Sequence, residues 1–210
     1  MRIYLVRHGQ TLWNRQRRIQ GRIDEPLDEV GRMQAHALGS QLQRLHFDRI
    51  YSSPLIRAKE TADIFNEYLQ TELVLESALQ EVRYGSAEGM VREDYRRQYA
   101  ARIAHVRCLP FSERIESRVI TDGESVAEVV GRVLPFLNSL VPEWMGKNLL
   151  IVCHGGVIRS LLIYLYEKDN YFSIENAGYV VLEWQEGSFR LTMAHRLIET
   201  SQDDTRHLIF

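Results

Sequence analysis

Cysteine is scarce in this chain: Cys108 and Cys153 are the only two among 210 residues, far apart and in no Cys-x-x-Cys pair. A disulfide framework is therefore excluded, and a reducing, cytoplasmic setting fits. Long apolar runs are missing as well. The opening Met1-Arg2-Ile3-Tyr4-Leu5-Val6 is far shorter than a signal-peptide core and meets Arg7-His8 directly, so a soluble protein with no membrane partner is expected. Nor is there an excess of one charge. The 26 basic and 28 acidic residues leave a formal net charge of -2, without the basic surplus that non-specific nucleic-acid binding needs. The arginines of 15–22 and 96–107 alternate with polar or apolar residues and lack an aromatic stacking pattern, which argues against a nucleic-acid partner. Internal repeats and low-complexity segments are absent.

What is present is enough apolar material, 45% of residues, for one sizeable core, and a single domain over 1–210 is expected. Short β-prone runs at Ile3–Val6, Arg49–Ser52 and Leu149–Cys153 are each followed by a helical pattern rather than a hairpin turn. That alternation predicts an α/β fold, a three-layer α/β/α sandwich around a mostly parallel sheet. The first long helix should start after Asp28, burying Val30, Met33, Ala37, Leu38, Leu42 and Leu45. Ser53 as N-cap and Pro54 as first helical residue predict a second, with Leu55, Ala58, Ala62, Phe65 and Leu69 as its stripe and Arg57 in its first turn. A third follows Asp122-Gly123-Glu124-Ser125, with Pro135 expected to kink it or end its first half. A fourth should run from Gly156 to about Tyr166. Val180–Trp184 and Arg190–Ala194 around Glu186-Gly187 predict a hairpin at the sheet edge, and 201–210 a loosely held tail. The Arg-, Tyr- and Glu-rich stretch 85–118 reads as an irregular or helical insertion over one end of the sheet.

Chemistry is concentrated where strands end. Ligands of open α/β sheets bind at the carboxyl ends of the strands, and the first strand delivers Arg7-His8-Gly9-Gln10-Thr11 there. Taken alone, His8 fits a structural or surface role more readily than a catalytic one. The other strand ends shift that balance, because they add Arg57 in a helical first turn and Cys153-His154-Gly155-Gly156. Two histidines and two arginines at one sheet end suit a phosphoryl group, whose equatorial oxygens need fixed donors that arginine forks match. Gly155 and Gly156, opening a helix, can also turn backbone N–H groups toward an anion. Cys153 reads as a small apolar residue ending a buried strand.

These residues resemble the histidine phosphatase superfamily, the phosphoglycerate mutase-like proteins, over nearly the whole chain. The landmarks, in order, are Leu5-Val6-Arg7-His8-Gly9-Gln10-Thr11, Trp13-Asn14, Gln20-Gly21, Gly31-Arg32-Met33-Gln34-Ala35, Tyr51 to Ala62, Asp122-Gly123-Glu124-Ser125 and His154-Gly155-Gly156. The resemblance implies that His8 is a nucleophile forming a phosphohistidine, that Arg7, Arg57 and His154 hold the phosphate oxygens, and that Glu81 is the acid for the leaving group. It implies that Asn14 and Gln20 assist phosphate binding, and it needs no metal or other cofactor. The implied activity is that of a metal-independent phosphatase acting on a small phosphorylated metabolite. Sugar phosphates, phosphoglycerates, cobalamin-precursor phosphates and phosphoamino acids all remain open. Tyr84, Arg83 and Arg92, in a covering segment at about 82–119, are the places to look for specificity. The runner-up is a cofactor-dependent phosphoglycerate mutase, because a Tyr in the place of Tyr84 touches the substrate there; those mutases, however, carry an Arg-containing insertion without a counterpart here. A non-catalytic phosphate-binding or scaffold protein is a third reading, although neither acid nor nucleophile is missing. A monomer or homodimer is expected.

Overall fold

Strands β1 (Arg2–Arg7), β2 (Arg49–Ser52), β3 (Leu73–Leu75) and β4 (Asn148–Cys153) run parallel, and β5 (Tyr171–Gln185) and β6 (Ser188–Thr200) complete the sheet as an antiparallel hairpin. The computed structural model describes residues 1–167 and 171–200 and orders the strands β3-β2-β4-β1-β5-β6. The expected tail at 201–210 lies outside the described residues.

Alternate side chains of the parallel strands enter two cores. Tyr4, Val6, Ile50, Leu150 and Val152 meet α2 (Glu29–Leu42) and α3 (Ile56–Leu69) on one face. Ile3, Leu5, Leu149, Ile151 and Cys153 meet α7 (Val126–Trp144) and α8 (Gly155–Tyr166) on the other. Burial on both faces explains why these strands read as unbroken apolar runs. The result is the expected three-layer sandwich with the phosphoglycerate mutase-like fold. Neighbouring strands β1 and β4 send their following helices, α2 and α8, to opposite faces, which opens a crevice at their carboxyl ends.

Several expected boundaries move. Asp28 caps α2 as expected, its Oδ1 accepting from the Gly31 N–H at 2.8 Å. The buried row is Gly31, Ala35, Leu38, Gly39 and Leu42, whereas Val30, Met33, Ala37 and Leu45 are exposed. Close contact decides this phase: a Cβ on Gly39 would press on Tyr68 and Phe65, and one on Gly31 would strike the Gln10 carbonyl. Gly9 reciprocates, since a Cβ there would run into the Gly31 carbonyl. Helix α3 starts at Ile56 with Leu55 as N-cap, two residues later than expected, although the Ser53 hydroxyl accepts from the Leu55 N–H at 3.3 Å as well as meeting His154. Helix α7 opens with a capping box between Ser125 and Glu128 and passes through Pro135 without ending. Pro135 and Gly131, whose carbonyl loses its partner, both lie on the exposed side, where water can satisfy that carbonyl.

The terminal hairpin is longer than expected and irregular between Ile174 and Tyr179. The covering segment is helical, comprising α4 (Arg92–Gln98), α5 (Ala100–Cys108) and α6 (Phe111–Glu116), and anchors Tyr95, Ile103 and Ile120 in the α7–α8 core. A short helix, α1 (Leu12–Arg15), follows the first strand end. Among the described residues, no helix is long and apolar enough to cross a membrane.

Candidate active site

Sheet register sets the centre of the site. Arg7 pairs with Cys153 and Ser52 with Val152, so His8, Ser53 and His154 emerge side by side as the next residues of three adjacent strands. The His8 N–H donates to the Cys153 carbonyl at 3.1 Å, which carries the register one residue past the strand. The rings of His8 and His154 lie 5.2 Å apart, centroid to centroid.

Hydrogen bonds assign the tautomers of both rings. His8 Nδ1 sits 2.7 Å from the Gly9 carbonyl, which can only accept, so Nδ1 bears the hydrogen and Nε2 the lone pair. Burial first, then Arg57 and Arg7, hold the His8 pKa well below its ordinary 6.5. The ring is therefore neutral near pH 7. His154 Nε2 lies 2.8 Å from Ser53 Oγ, which already accepts from the Leu55 N–H. We assign the Ser53 hydroxyl as donor to Nε2, which makes the buried, otherwise unpartnered His154 Nδ1 an N–H donor.

Two arginines surround this pair. Arg57 is fully buried, and its outer nitrogens donate to the carbonyls of Gly21 at 2.7 Å and Ile23 at 2.8 Å, leaving Nε without a partner. Arg7 donates from Nη1 to the Ile174 carbonyl at 2.6 Å, and its Nε is likewise unpartnered. Burial, then the neighbouring charge of Arg92, pushes the Arg7 pKa down to about 10, with Glu81 opposing the shift; burial also lowers that of Arg57. Both remain cations at neutral pH, crowded together with donors unspent.

The residues singled out from the sequence come together except Arg83, whose side chain is exposed and lies outside the cleft while its backbone N–H is held by Glu124. Arg7, His8, Asn14, Gln20, Arg57, Glu81, Tyr84 and Gly155 line one cleft, and His154 is buried beside His8. Glu81 accepts from the Val82 N–H at 2.9 Å and the Gly156 N–H at 3.3 Å. The Gly156 amide, expected to face an anion, thus serves the carboxylate instead, and a Cβ there would press on Glu81 and Val82. Asn14 Oδ1 accepts from the Thr11 N–H at 3.1 Å, while the Gln20 Oε1 is buried without a partner. Burial, then Glu81, raises the Tyr84 pKa, so its phenol stays protonated.

Sequence reasoning missed the parts that hold the cleft in shape. Glu124 accepts from Arg22 Nη2 at 2.9 Å, Arg132 Nε at 3.1 Å and the Arg83 N–H at 2.9 Å, and Arg132 donates to the carbonyls of Ala78 and Glu81. The Glu81 loop is clamped from below. Burial alone would raise the Glu124 pKa, but Arg132, the Arg83 amide and Arg22 together outweigh it and lower the pKa. Glu88 accepts from the Arg22 and Tyr84 amides, and Gly21, at φ +54°, packs against it where a Cβ would collide. Asn176, delivered by the irregular stretch of β5, donates from Nδ2 to the carbonyls of His8 and Gly9 and to Asn14 Oδ1, each at 3.1 Å. Arg18 and Arg159 also line the cleft. The quartet Asp122-Gly123-Glu124-Ser125 was a usable signal for the clamp, whereas nothing in the sequence marks the irregularity that positions Asn176. Among the described residues, no group of three or more His, Cys, Asp or Glu is arranged to hold a metal ion.

Comparison with known proteins agrees with this geometry. The profile of the histidine phosphatase superfamily (branch 1) matches residues 3–195. The uncharacterized phosphatase PhoE of Bacillus subtilis (strain 168) is 35% identical over 160 residues, covering 76% of this chain and 75% of that protein. The probable phosphoglycerate mutase GpmB of Yersinia pestis (strain Pestoides F) is 30% identical over 219 residues, covering 99% of this chain and 95% of that one. A solved mycobacterial glucosyl-3-phosphoglycerate phosphatase in complex with VO3 superposes with a TM-score of 0.79 at 28% identity, covering 93% and 98% of the two chains. With a strand-end Arg-His pair, a second His in register with it and a profile match over most of its length, the chain belongs to the histidine phosphatase superfamily.

Proposed function

We propose that the protein is a phosphomonoester hydrolase that works without a metal ion and carries the phosphoryl group on His8. The observation that carries this reading is the cationic cage with donors left over: Arg7 and Arg57 have buried, unpartnered Nε atoms beside a neutral His8 whose Nε2 holds a lone pair. Burying such charge is costly unless an anion completes it, and a phosphate group supplies the charge and the acceptors.

In the first step His8 Nε2 attacks phosphorus in line, forming the P–N bond as the ester P–O bond breaks. The leaving oxygen takes a proton from Glu81, which lines the same cleft and is held by the amides of Val82 and Gly156. Water then attacks the phosphohistidine, giving its proton back to Glu81, and the P–N electron pair returns to Nε2. Arg7, Arg57 and the Nδ1–H of His154 hold the equatorial oxygens throughout. The Nδ1–H bond to the Gly9 carbonyl stabilises the positive charge that His8 acquires when phosphorylated. Asn14, Gln20 and Gly155 border the phosphate, and Tyr84 and Arg92 face the rest of the substrate.

A phosphoglycerate mutase is the second reading, favoured by the full-length likeness to GpmB and by Tyr84 in the cleft wall. Phosphate release from a panel of phosphomonoesters in excess EDTA, set against isomerisation of 3-phosphoglycerate with and without 2,3-bisphosphoglycerate, separates the two. Release that survives EDTA and disappears in His8→Ala is expected. Isomerisation faster than release makes the protein a mutase, and release abolished by EDTA and restored by a divalent cation overturns the metal-free mechanism.

A further inference from the structure

A second depression adjoins the catalytic cleft and shares Arg7, Asn14, Arg92, Ser173 and Ile174 with it as a common rim. Beyond the rim its wall changes character. It is made by Gln10, Gln34, Glu175, Asn176 and Arg196, with Ile198 at its margin. The charges there cancel, because Arg196 Nε donates to Glu175 Oε2 at 2.7 Å. The catalytic cleft gathers cations, whereas the part of the trough beyond the rim gathers neutral amides.

Three of the amides, Gln34, Asn14 and Asn176, are pinned at one end and unspent at the other. Gln34 Oε1 accepts from the Gln10 N–H at 3.0 Å, leaving its NH2 available. Asn14 spends Oδ1 on Thr11 and on Asn176, leaving its NH2; Asn176 spends Nδ2 on His8, Gly9 and Asn14, leaving its oxygen. The side chains of Gln10 and Ser173 make no hydrogen bond among the described residues. Fixed donors and acceptors in alternation match hydroxyl groups, each of which donates one hydrogen and accepts at two lone pairs. Because the scaffold already immobilises most of these amides, little side-chain freedom is lost when a ligand binds. Beyond the rim Arg196 and Glu175 neutralise each other, and an apolar group there would strand the polar atoms of the amides.

We propose that the leaving group of the substrate is polyhydroxylated, a sugar or polyol, and that it lies in this trough with Gln10, Asn14, Gln34, Ser173 and Asn176 as its partners. This deepens the phosphatase reading and rests on it for the orientation of the ligand, phosphate in the cage and hydroxyls across the rim.

Calorimetric titration of His8→Ala, in which the ligand cannot be consumed, tests it with glucose 6-phosphate, ribose 5-phosphate, ethyl phosphate and 3-phosphoglycerate as probes. One of the sugar phosphates should bind at least roughly tenfold more tightly than ethyl phosphate, the gain of two or three hydrogen bonds at several-fold each. Adding Gln10→Ala and Ser173→Ala, whose side chains support no structural bond, should remove most of that advantage and leave ethyl phosphate unaffected. Sugar phosphates binding no better than ethyl phosphate, an equal loss for both ligands, or 3-phosphoglycerate binding tightest of all would each overturn the proposal. Failure of the phosphatase reading shows separately, as wild-type protein that binds these ligands but releases no phosphate.

Discussion

The two walls of the cleft are built on different principles. The wall made by the ends of β1, β2 and β4 is set by backbone pairing: once Arg7 stands opposite Cys153, the neighbours His8 and His154 follow, and no side chain is needed to bring them together. The opposite wall, from Glu81 to Glu88, contains no strand and is held by carboxylates, Glu124 beneath it and Glu88 within it. In the proposed mechanism His8 and His154, which meet the phosphate, belong to the rigid wall. The acid Glu81, with Tyr84 beside it, belongs in that mechanism to the braced wall, so proton donation and phosphate capture are mechanically separable.

The severest disruption of the rigid wall is His8→Ala, which should lower phosphate release by at least about 10⁴-fold and abolish a phosphohistidine detectable by phosphorus NMR. Arg57→Met should cost about 10²–10³-fold in kcat for every ester alike, since the cage contacts a group common to all of them. In the braced wall, Glu81→Gln should cost about 10²–10⁴-fold for alkyl phosphates but far less for p-nitrophenyl phosphate, whose leaving group needs no proton. A uniform loss in Glu81→Gln would erase the distinction between the walls.

Glu124→Gln leaves every cleft-lining residue intact and tests the brace alone. It should lower stability by about 2 kcal/mol, because Arg22 and Arg132 lose the charge they share, and reduce activity on poor leaving groups more than on good ones. The folded state holds the Glu124 pKa below its ordinary 4.5, so this stabilisation is complete above that pH and is lost as pH falls through the folded value. Urea midpoints of wild type and variant should therefore converge on acidification.

The smallest effect concerns the histidines. His8 and His154 both have pKa values held well below 6.5 by burial first and by Arg57 next. The unfolded chain binds protons below 6.5 that the native state refuses, so stability is full above that pH and declines as pH falls beneath it. For the same reason the acid limb of kcat/KM should lie well below 6.5, which a pH profile on p-nitrophenyl phosphate measures.

The contrast between the walls also accounts for what could be read in advance. The layered fold and the convergence of Arg7, His8, Arg57, His154 and Glu81 on one place were legible because parallel strands leave apolar runs and their ends carry compact motifs. Helix α2 was placed correctly but turned wrongly, since the contact that sets its phase is made by Gly31 and Gly39, which leave no apolar signal. Helix α3 begins two residues later than Ser53 and Pro54 suggest, and nothing local in the sequence shows that the Ser53 hydroxyl also serves His154, a partner 101 residues away. Asn176 was invisible because its position depends on a pairing irregularity in β5, a property of two strands together.

The contact between Gly9 and Gly31 makes the nucleophile's position depend on a helix that carries no catalytic group. Backbone meets backbone there, and the Asp28 N–H donates to the Gln10 carbonyl at 3.0 Å beside it. The start of α2 therefore acts as a hard stop for the loop bearing His8, with no compressible side chain between them. Positions 9 and 31 are therefore a fixed gauge: one added methyl group would displace the loop bearing His8 while leaving every side chain of the cleft in the sequence.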